Sequence, residues 1–141
     1  MFKYLLLSNY LISILAFVTN ANLVINLEQN KLNNILKTQK LPCHLQMARI
    51  KTFESAIYEM NKLQIKNIYE IHDLIKFTYV FYTKEDMIRF YHTLMYKKTC
   101  WHIENDLNND RYPTIKLIYI NEYENCSAKN IECKLYSINS A

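Results

Sequence analysis

The spacing of apolar residues changes several times along the chain, and each change predicts a new element. Apolar residues recur every three or four positions, as in amphipathic helices, in residues 26–39, 54–65 and 83–95. Segments that alternate, or that are rich in β-branched and aromatic residues, lie in residues 45–51, 68–82, 114–123 and 130–138. The predicted order is helix, strand, helix, strand, helix, and then two strands joined as a hairpin. This order favours one α/β (or α+β) domain.

The composition supports a single domain and excludes several kinds of site. The 141 residues are enough for one hydrophobic core. Glycine is absent, which excludes the glycine-rich phosphate loops of P-loop and dinucleotide-binding proteins. Backbone positions that need a positive φ must then fall to Asn or Asp, and the candidates are residues 33–34, 108–110 and 125.

Charge and cysteine content add little about partners. The formal net charge of +4 comes from scattered lysines, which is compatible with an anionic small molecule and does not indicate nucleic-acid binding. No two cysteines have the C-x-x-C spacing of zinc sites. Disulfides would be consistent with an oxidising compartment, but their pairing does not follow from the sequence. The cysteines are Cys43, Cys100, Cys126 and Cys133.

The N-terminal segment has the pattern of an export signal. Lys3 precedes an apolar segment at residues 11–18, and Thr19 and Ala21 supply the small residues that predict cleavage after Ala21. An uncleaved anchor or a first core helix would fit the same segment, although it is short for a membrane span. We expect a signal peptide over residues 1–21, a domain over residues 22–141, and an exported protein. Membrane contact is expected only through the N-terminal segment.

Two acidic residues interrupt the apolar strand patterns. Asp73 lies within the segment 68–82, where alternation predicts that it shares a face with Ile75, and Glu132 lies in the last predicted strand. A carboxylate in such a position is costly to bury unless it is paired or binds a cation. If the two strands are neighbours, the acids converge and suit a divalent cation such as Mg²⁺. Otherwise each acid pairs with a nearby basic residue.

Four segments, in this order and spacing, resemble the synthetase domain of the RelA/SpoT family. They are "ARIKTFESAIYEM", "IYEIHDLIKFTYV", "RYPTIKLIYI" and "IECKLYS", and the resemblance covers roughly residues 45–138. That family transfers pyrophosphate from ATP to the 3′-hydroxyl of GTP or GDP to make (p)ppGpp. The resemblance implies a nucleotidyltransferase-like mixed β-sheet flanked by helices, with ATP and GTP/GDP as partners and Mg²⁺ as cofactor.

The resemblance also implies roles for individual residues. Asp73 and Glu132 match the two catalytic, metal-binding acids of the family. Arg49, Lys51 and Ser55 match residues that contact the phosphates of ATP. Tyr112, held in an extended backbone by the following proline, matches the platform for the guanine ring.

Several positions depart from the family pattern. Lys116 stands where the family has a histidine, which keeps a positive charge suited to phosphate binding. Arg111 replaces a glycine and Thr78 an arginine. Glu59 replaces a helix lysine that reaches ATP in the family, so the charge there is reversed. Glu59 and Thr78 argue against efficient catalysis.

Two functions are therefore expected from the sequence. The first is a (p)ppGpp-synthesising pyrophosphokinase, and the second is a catalytically inactive, exported nucleotide- or protein-binding descendant of that fold. An HD-type metal phosphohydrolase built on His72 and Asp73 is disfavoured, because that site needs helices and the residues after Asp73 favour a strand.

Overall fold

The computed structural model describes residues 2–109 and 111–138, with side chains described from residue 14 onward. These ranges contain three α-helices, one short 3-10 helix and five strands. The helices are α1 (Phe2–Thr38), α2 (Phe53–Leu63) and α3 (Lys84–Lys97), and the 3-10 helix is Ile68–Glu70. The strands are β1 (Cys43–Ile50), β2 (Ile75–Phe81), β3 (Cys100–Asp106), β4 (Thr114–Ile120) and β5 (Asn130–Ser137).

The strands form one mixed sheet in the order β1-β2-β5-β4-β3. The central strands β2 and β5 are parallel, and the other neighbouring pairs are antiparallel. The predicted hairpin is the β4–β5 pair. A mixed sheet with helices in one α+β domain is the architecture that the sequence predicts, so the predicted fold class is confirmed.

One face of the sheet carries the hydrophobic core. Every second residue of β2 is buried on this face, because successive side chains of a strand point to opposite sides. The strand register places alternate residues of β5 and β4 beside them. Burial of each large apolar side chain stabilises the fold by about 1.5–3 kcal/mol. These core residues are Ile75, Phe77, Tyr79, Phe81, Ile131, Cys133, Leu135, Ile115, Leu117 and Tyr119.

Helix α3 covers this face of the central strands. It begins after Thr83, whose hydroxyl oxygen caps the helix by accepting a hydrogen bond from the Asp86 N–H at 3.1 Å. The Phe90 ring centroid lies 5.3 Å from that of Tyr79 and 5.4 Å from that of Phe81. The helix therefore covers the middle of the core face and does not cover the opposite face of the sheet.

Helix α1 is continuous through the predicted cleavage position. It ends where Lys40 adopts φ 54° and the Leu41 N–H donates to the Leu36 carbonyl at 2.9 Å. Among the described residues, no helix combines the length and the apolar character needed to cross a membrane. The signal peptide and its cleavage after Ala21 stay predictions. The buried positions of α1 recur every three or four residues and are Ala21, Val24, Glu28, Leu32, Ile35 and Leu36.

The strand predicted within residues 68–82 is shorter than expected. It begins only at Ile75, because Asn67 caps the 3-10 helix and its side-chain oxygen accepts from the Tyr69 N–H at 3.0 Å. Asp73 therefore lies in the turn that precedes β2 and not on the strand itself, so the expectation that it shares a face with the core residue Ile75 was wrong. Strand β3 was not predicted, since it is an edge strand with mostly exposed side chains and a weak apolar signal.

The expected positions of positive φ were also wrong. Among the described residues, positive φ occurs at Lys40 and Gln64, each directly after or near a helix end. Asn33 and Asn34 lie inside α1, and Asp110 lies outside the described residues. All four cysteines are free thiols, of which Cys126 and Cys133 are buried.

Candidate functional site

The face of the sheet opposite the core, here called the open face, is lined by charged side chains. Its central row follows the strand register from Arg49 through Lys76, Glu132 and Ile118 to His102. The next row contains Thr78, Lys134, Lys116 and Glu104. These residues alternate along the strands with the core residues, so the pattern that builds the core also gathers the charges on one surface.

Asp73 is held at the edge of this face by two basic side chains. Its Oδ2 lies 2.9 Å from Arg49 Nη2, and its Oδ1 lies 3.0 Å from Lys51 Nζ. Arg49 Nη1 also donates to the Asp73 carbonyl oxygen at 3.0 Å. Burial alone would raise the pKa of Asp73, but the hydrogen bonds from Arg49 and Lys51 outweigh it and hold this pKa below its ordinary value of 3.8. Asp73 is therefore a carboxylate at neutral pH.

Lys51 is shared between two carboxylates. Its Nζ lies 2.8 Å from Glu59 Oε2 and 3.0 Å from Asp73 Oδ1. Burial would lower the pKa of Lys51, but its interactions with the carboxylates of Glu59 and Asp73 raise it above its ordinary value. The N-terminus of α2 fixes this geometry, since the Thr52 hydroxyl caps the helix by accepting from the Ser55 N–H.

Glu132 is the buried acid of the open face, with 5% of its surface exposed. Lys76 Nζ lies 3.3 Å from its Oε2, and Lys116 Nζ lies 3.7 Å from its Oε1. Lys116 also pairs with Glu104 at 3.2 Å. Interaction with His102 and Lys116 lowers the pKa of Glu104. The Glu132 side chain is thus fixed by one lysine from each of the two neighbouring strands.

Asp73 and Glu132 line the same cavity, which has a volume of about 270 Å³. The cavity lies between the open face and α2, which contributes Glu59 and Leu63. The basic side chains around it, counting the two that hold Asp73, outnumber the carboxylates and suit an anionic ligand. They are Arg49, Lys51, Lys76, Lys116 and Lys134, and the carboxylates are Glu59, Asp73 and Glu132.

The cavity offers oxygen donors suited to Mg²⁺, although a complete protein cage is absent. Among the described residues, no three His, Cys, Asp or Glu side chains are close enough together to hold a metal ion. Mg²⁺ usually binds through one or two carboxylates and completes its shell with water and substrate phosphate oxygens. The carboxylates of Asp73 and Glu132 fit that requirement, and both are now engaged by basic side chains.

The remaining predicted residues lie outside the cavity wall. Ser55 is exposed in the first turn of α2. Tyr112, with 56% of its surface exposed, lies two residues before β4, and its N–H donates to Asn109 Oδ1. Arg111 is exposed beside it and does not adopt a positive φ. Thr78 lies on the open face in register with Lys134.

Sequence reasoning missed several residues around the cavity. Lys76 and His72 line it, and Trp101 contacts His72. Alternation along β2 was a usable signal for Lys76, because it must point away from the buried Ile75 and Phe77. Trp101 had no such signal, since its strand was not predicted.

Comparison with solved structures identifies proteins of the same fold. The small alarmone synthetase 2 from Bacillus subtilis matches with a TM-score of 0.69 and 16% identity, over 84% of this chain and 68% of that chain. The small alarmone synthetase 1 from Bacillus subtilis matches with a TM-score of 0.67 and 12% identity, over 86% and 68%. The structure of the latter bound to its product pppGpp matches with a TM-score of 0.64 and 11% identity, over 79% and 66%.

Comparison of the sequence alone gives no match. No protein-family model and no curated protein matches the chain. The structural similarity nevertheless covers most of the chain, at identities that establish the fold alone. The RelA/SpoT-like synthetase fold predicted from four short segments is therefore confirmed.

Proposed function

We propose that the chain is a RelA/SpoT-like nucleotidyltransferase that transfers pyrophosphate from ATP to the 3′-hydroxyl of GDP or GTP. The observation that carries this proposal is the shared cavity of Asp73 and Glu132, surrounded by Lys51, Lys76 and Lys116. Phosphoryl transfer depends mainly on positioning and on neutralising charge, and this cavity supplies both kinds of group. The fold similarity to small alarmone synthetases supports the same reaction class.

In this reaction the acceptor 3′-oxygen forms a bond to the β-phosphorus of ATP. The bond between that phosphorus and the α–β bridging oxygen breaks, and AMP leaves with the electron pair. Glu132 takes the hydroxyl proton, and the Asp73 carboxylate would hold Mg²⁺. When bound, Mg²⁺ would neutralise charge on the phosphate oxygens.

The basic side chains bind the phosphates. Arg49 and Lys51 would contact the ATP phosphates, with Ser55 at the start of α2 adding a hydroxyl donor. Lys116 lies beside Glu132, where it would contact the acceptor phosphates. Tyr112, which lies outside the cavity, would supply a stacking surface only for a base that extends away from Glu132. These contacts require the present ion pairs of Lys51 to open.

One specific observation favours a second function, nucleotide or anion binding without catalysis. Glu59 Oε2 lies 2.8 Å from Lys51 Nζ and forms an ion pair with it. A phosphate must therefore displace this carboxylate before it can bind to Lys51. A binding protein tolerates this competition better than an enzyme does, because an enzyme must also orient the donor for attack.

The decisive experiment incubates the full chain with ATP, Mg²⁺ and either GDP or GTP, and separates the nucleotides by chromatography. Synthesis of guanosine tetra- or pentaphosphate, lost in Asp73→Asn and Glu132→Gln, supports the enzyme. If no product forms while calorimetry detects nucleotide binding, the binding function stands. If neither product nor binding is found, both functions are wrong.

Export is a further part of the proposal. Ala21 is buried within α1 in the folded chain, so a signal peptidase would have to act before folding is complete. N-terminal sequencing of the protein from the extracytoplasmic fraction of producing cells tests this. A start at Asn22 supports export and cleavage, and a protein retained entirely in the cytoplasm contradicts them.

A further inference from the structure

Trp101 is a half-exposed aromatic side chain held in a fixed orientation. It lies on β3 at the register shift between Cys100 and His102, and 49% of its surface is exposed. Its indole Nε1–H donates to Asn130 Oδ1 at 2.9 Å, and only 8% of Asn130 is exposed. Because β4 separates β3 from β5, the indole reaches over β4 to make this bond.

The indole lies beside the central row of the open face. Asn130 precedes Glu132 by two residues on β5 and therefore points to the same side of the sheet. His102, which follows Trp101 directly, pairs with Ile118, and Ile118 pairs with Glu132. Trp101 is thus the sequence neighbour of His102, which lies at the end of the central row that contains Glu132.

His72 connects Trp101 to the charged cavity. The two ring centroids are 4.8 Å apart, with the rings nearly perpendicular at 81°. His72 lines the cavity that contains Asp73 and Glu132, whereas Trp101 lines a neighbouring groove of about 560 Å³ along residues 120–130. The ring pair therefore forms the boundary between a charged cavity and a groove that has an aromatic wall.

We propose that Trp101 is the stacking surface for the purine base of a nucleotide whose phosphates lie on the lysines of the charged cavity. The proposal rests on the proposed function, in that both require a nucleotide at the open face. A purine has an aromatic face for the indole, and its phosphates match Lys76, Lys116 and Lys134. The bond to Asn130 orients the indole before the ligand arrives, which reduces the entropy lost on binding.

Tyr112 is less well placed to serve a ligand at Glu132. Ile118 is the register partner of Glu132, and Tyr112 precedes Ile118 by six residues of mostly extended chain. Tyr112 can therefore lie up to about 20 Å from Ile118 along the strand direction. Trp101 is adjacent to that row. A base that stacks on Trp101 can therefore belong to a nucleotide whose phosphates reach Glu132 and its lysines.

The chain contains one tryptophan, so its fluorescence reports directly on the proposed contact. The full-length protein is titrated with GDP, with ADP and with inorganic pyrophosphate, which has no base, and affinities are measured in parallel by calorimetry. We expect GDP or ADP to quench the emission and pyrophosphate to leave it unchanged. Trp101→Ala should weaken binding of the quenching nucleotide by about 5- to 140-fold, the equivalent of one base stack.

Control variants separate stacking from general damage. Trp101→Ala should bind pyrophosphate as well as the wild type does, and Trp101→Phe should retain most of the nucleotide affinity. Tyr96→Ala removes an exposed aromatic on α3 and should change neither affinity. Circular dichroism checks that each variant is folded.

The outcomes distinguish this proposal from the proposed function. If GDP or ADP binds by calorimetry without quenching, or with equal affinity in Trp101→Ala, Trp101 is not the stacking surface, and nucleotide binding itself still stands. If neither the nucleotides nor pyrophosphate bind the wild type, the proposed function and this proposal are both wrong. The quenching measurement needs no variant, so it decides the matter even if Trp101→Ala does not fold.

Discussion

Lys51 Nζ lies 2.8 Å from Glu59 Oε2 and forms an ion pair with it. The ammonium group that a ligand phosphate would need is therefore already paired with a carboxylate of the protein. The same ammonium contacts Asp73 at 3.0 Å. A third anion can approach this cation only if one carboxylate withdraws. Glu59 is the more mobile candidate, because its side chain is more exposed than that of Asp73.

Glu59→Gln should therefore strengthen phosphate binding. The substitution removes a competing charge while preserving side-chain size, and an ion pair of this exposure corresponds to about 2- to 5-fold in affinity. The measurement is a calorimetric titration of the full chain with inorganic pyrophosphate. Glu54→Gln, an exposed position in the first turn of the same helix, is the matched control and should leave the affinity unchanged. Equal affinity for wild type and Glu59→Gln would show that Glu59 does not compete.

Asp73 should stabilise the fold in a pH-dependent way. Arg49 and Lys51 hold its folded-state pKa below the ordinary value of 3.8, so the ionised form stabilises the native state above that pH. This contribution is lost as the pH falls through the lowered pKa. The difference in free energy of unfolding between wild type and Asp73→Asn should therefore stay constant from about pH 7 to about pH 5 and shrink in more acidic solution.

Denaturant unfolding at a series of pH values measures this difference. Glu85→Gln, at an exposed position on α3, serves as the control and should give a small difference across the same range. If the Asp73→Asn difference instead increased as the pH fell, the ion pairs with Arg49 and Lys51 would not be the source of the stabilisation.

The regular parts of this arrangement could be predicted from the sequence, and the irregular parts could not. The side of Glu132 follows from alternation along β5, because strand periodicity alone places it opposite the buried Cys133. Asp73 was expected on a strand and lies in a turn, because Asn67 caps a short helix that apolar spacing does not reveal. Trp101 was missed for a tertiary reason, since its bond to Asn130 depends on the order of the strands in the sheet.

Glu28 shows a second limit of sequence prediction. In an amphipathic helix a glutamate normally marks the exposed side, yet Glu28 is fully buried in the stripe of α1 that faces the core. Its carboxylate lies 2.8 Å from Lys98 Nζ and accepts hydrogen bonds from the hydroxyls of Tyr119 and Tyr123. These partners lie 70 or more residues away in sequence and could not be inferred from the helix pattern.

Glu28→Ala should destabilise the protein by about 3–5 kcal/mol. The variant leaves the mostly buried Lys98 without its counter-charge and removes the acceptor of both tyrosine hydroxyls. Glu28→Gln should lower the free energy of unfolding by less, because an amide oxygen still accepts hydrogen bonds.

The control Asn30→Ala, on the exposed side of the same helix, should change the free energy of unfolding by less than about 0.5 kcal/mol. A loss below about 1 kcal/mol in Glu28→Ala would contradict a stabilising role for the buried network.

The first part of α1 should also contribute to stability, which matters if the chain is cleaved after Ala21. The Phe17 ring centroid lies 5.5 Å from that of Tyr69, and Phe17 lines an apolar cavity with Ile50 and Leu74 next to Lys51. Phe17→Ala in the full chain should lower the free energy of unfolding by about 1–2 kcal/mol, since the ring is only partly buried. Leu15→Ala, which removes a mostly exposed side chain, is the control and should have little effect.

A chain that starts at Asn22 loses Phe17 and the buried Ala21 together, so it should unfold at a lower temperature than Phe17→Ala. Equal melting temperatures for the shortened and full chains would show that residues before Asn22 add nothing to the fold and would favour their role as a removable segment.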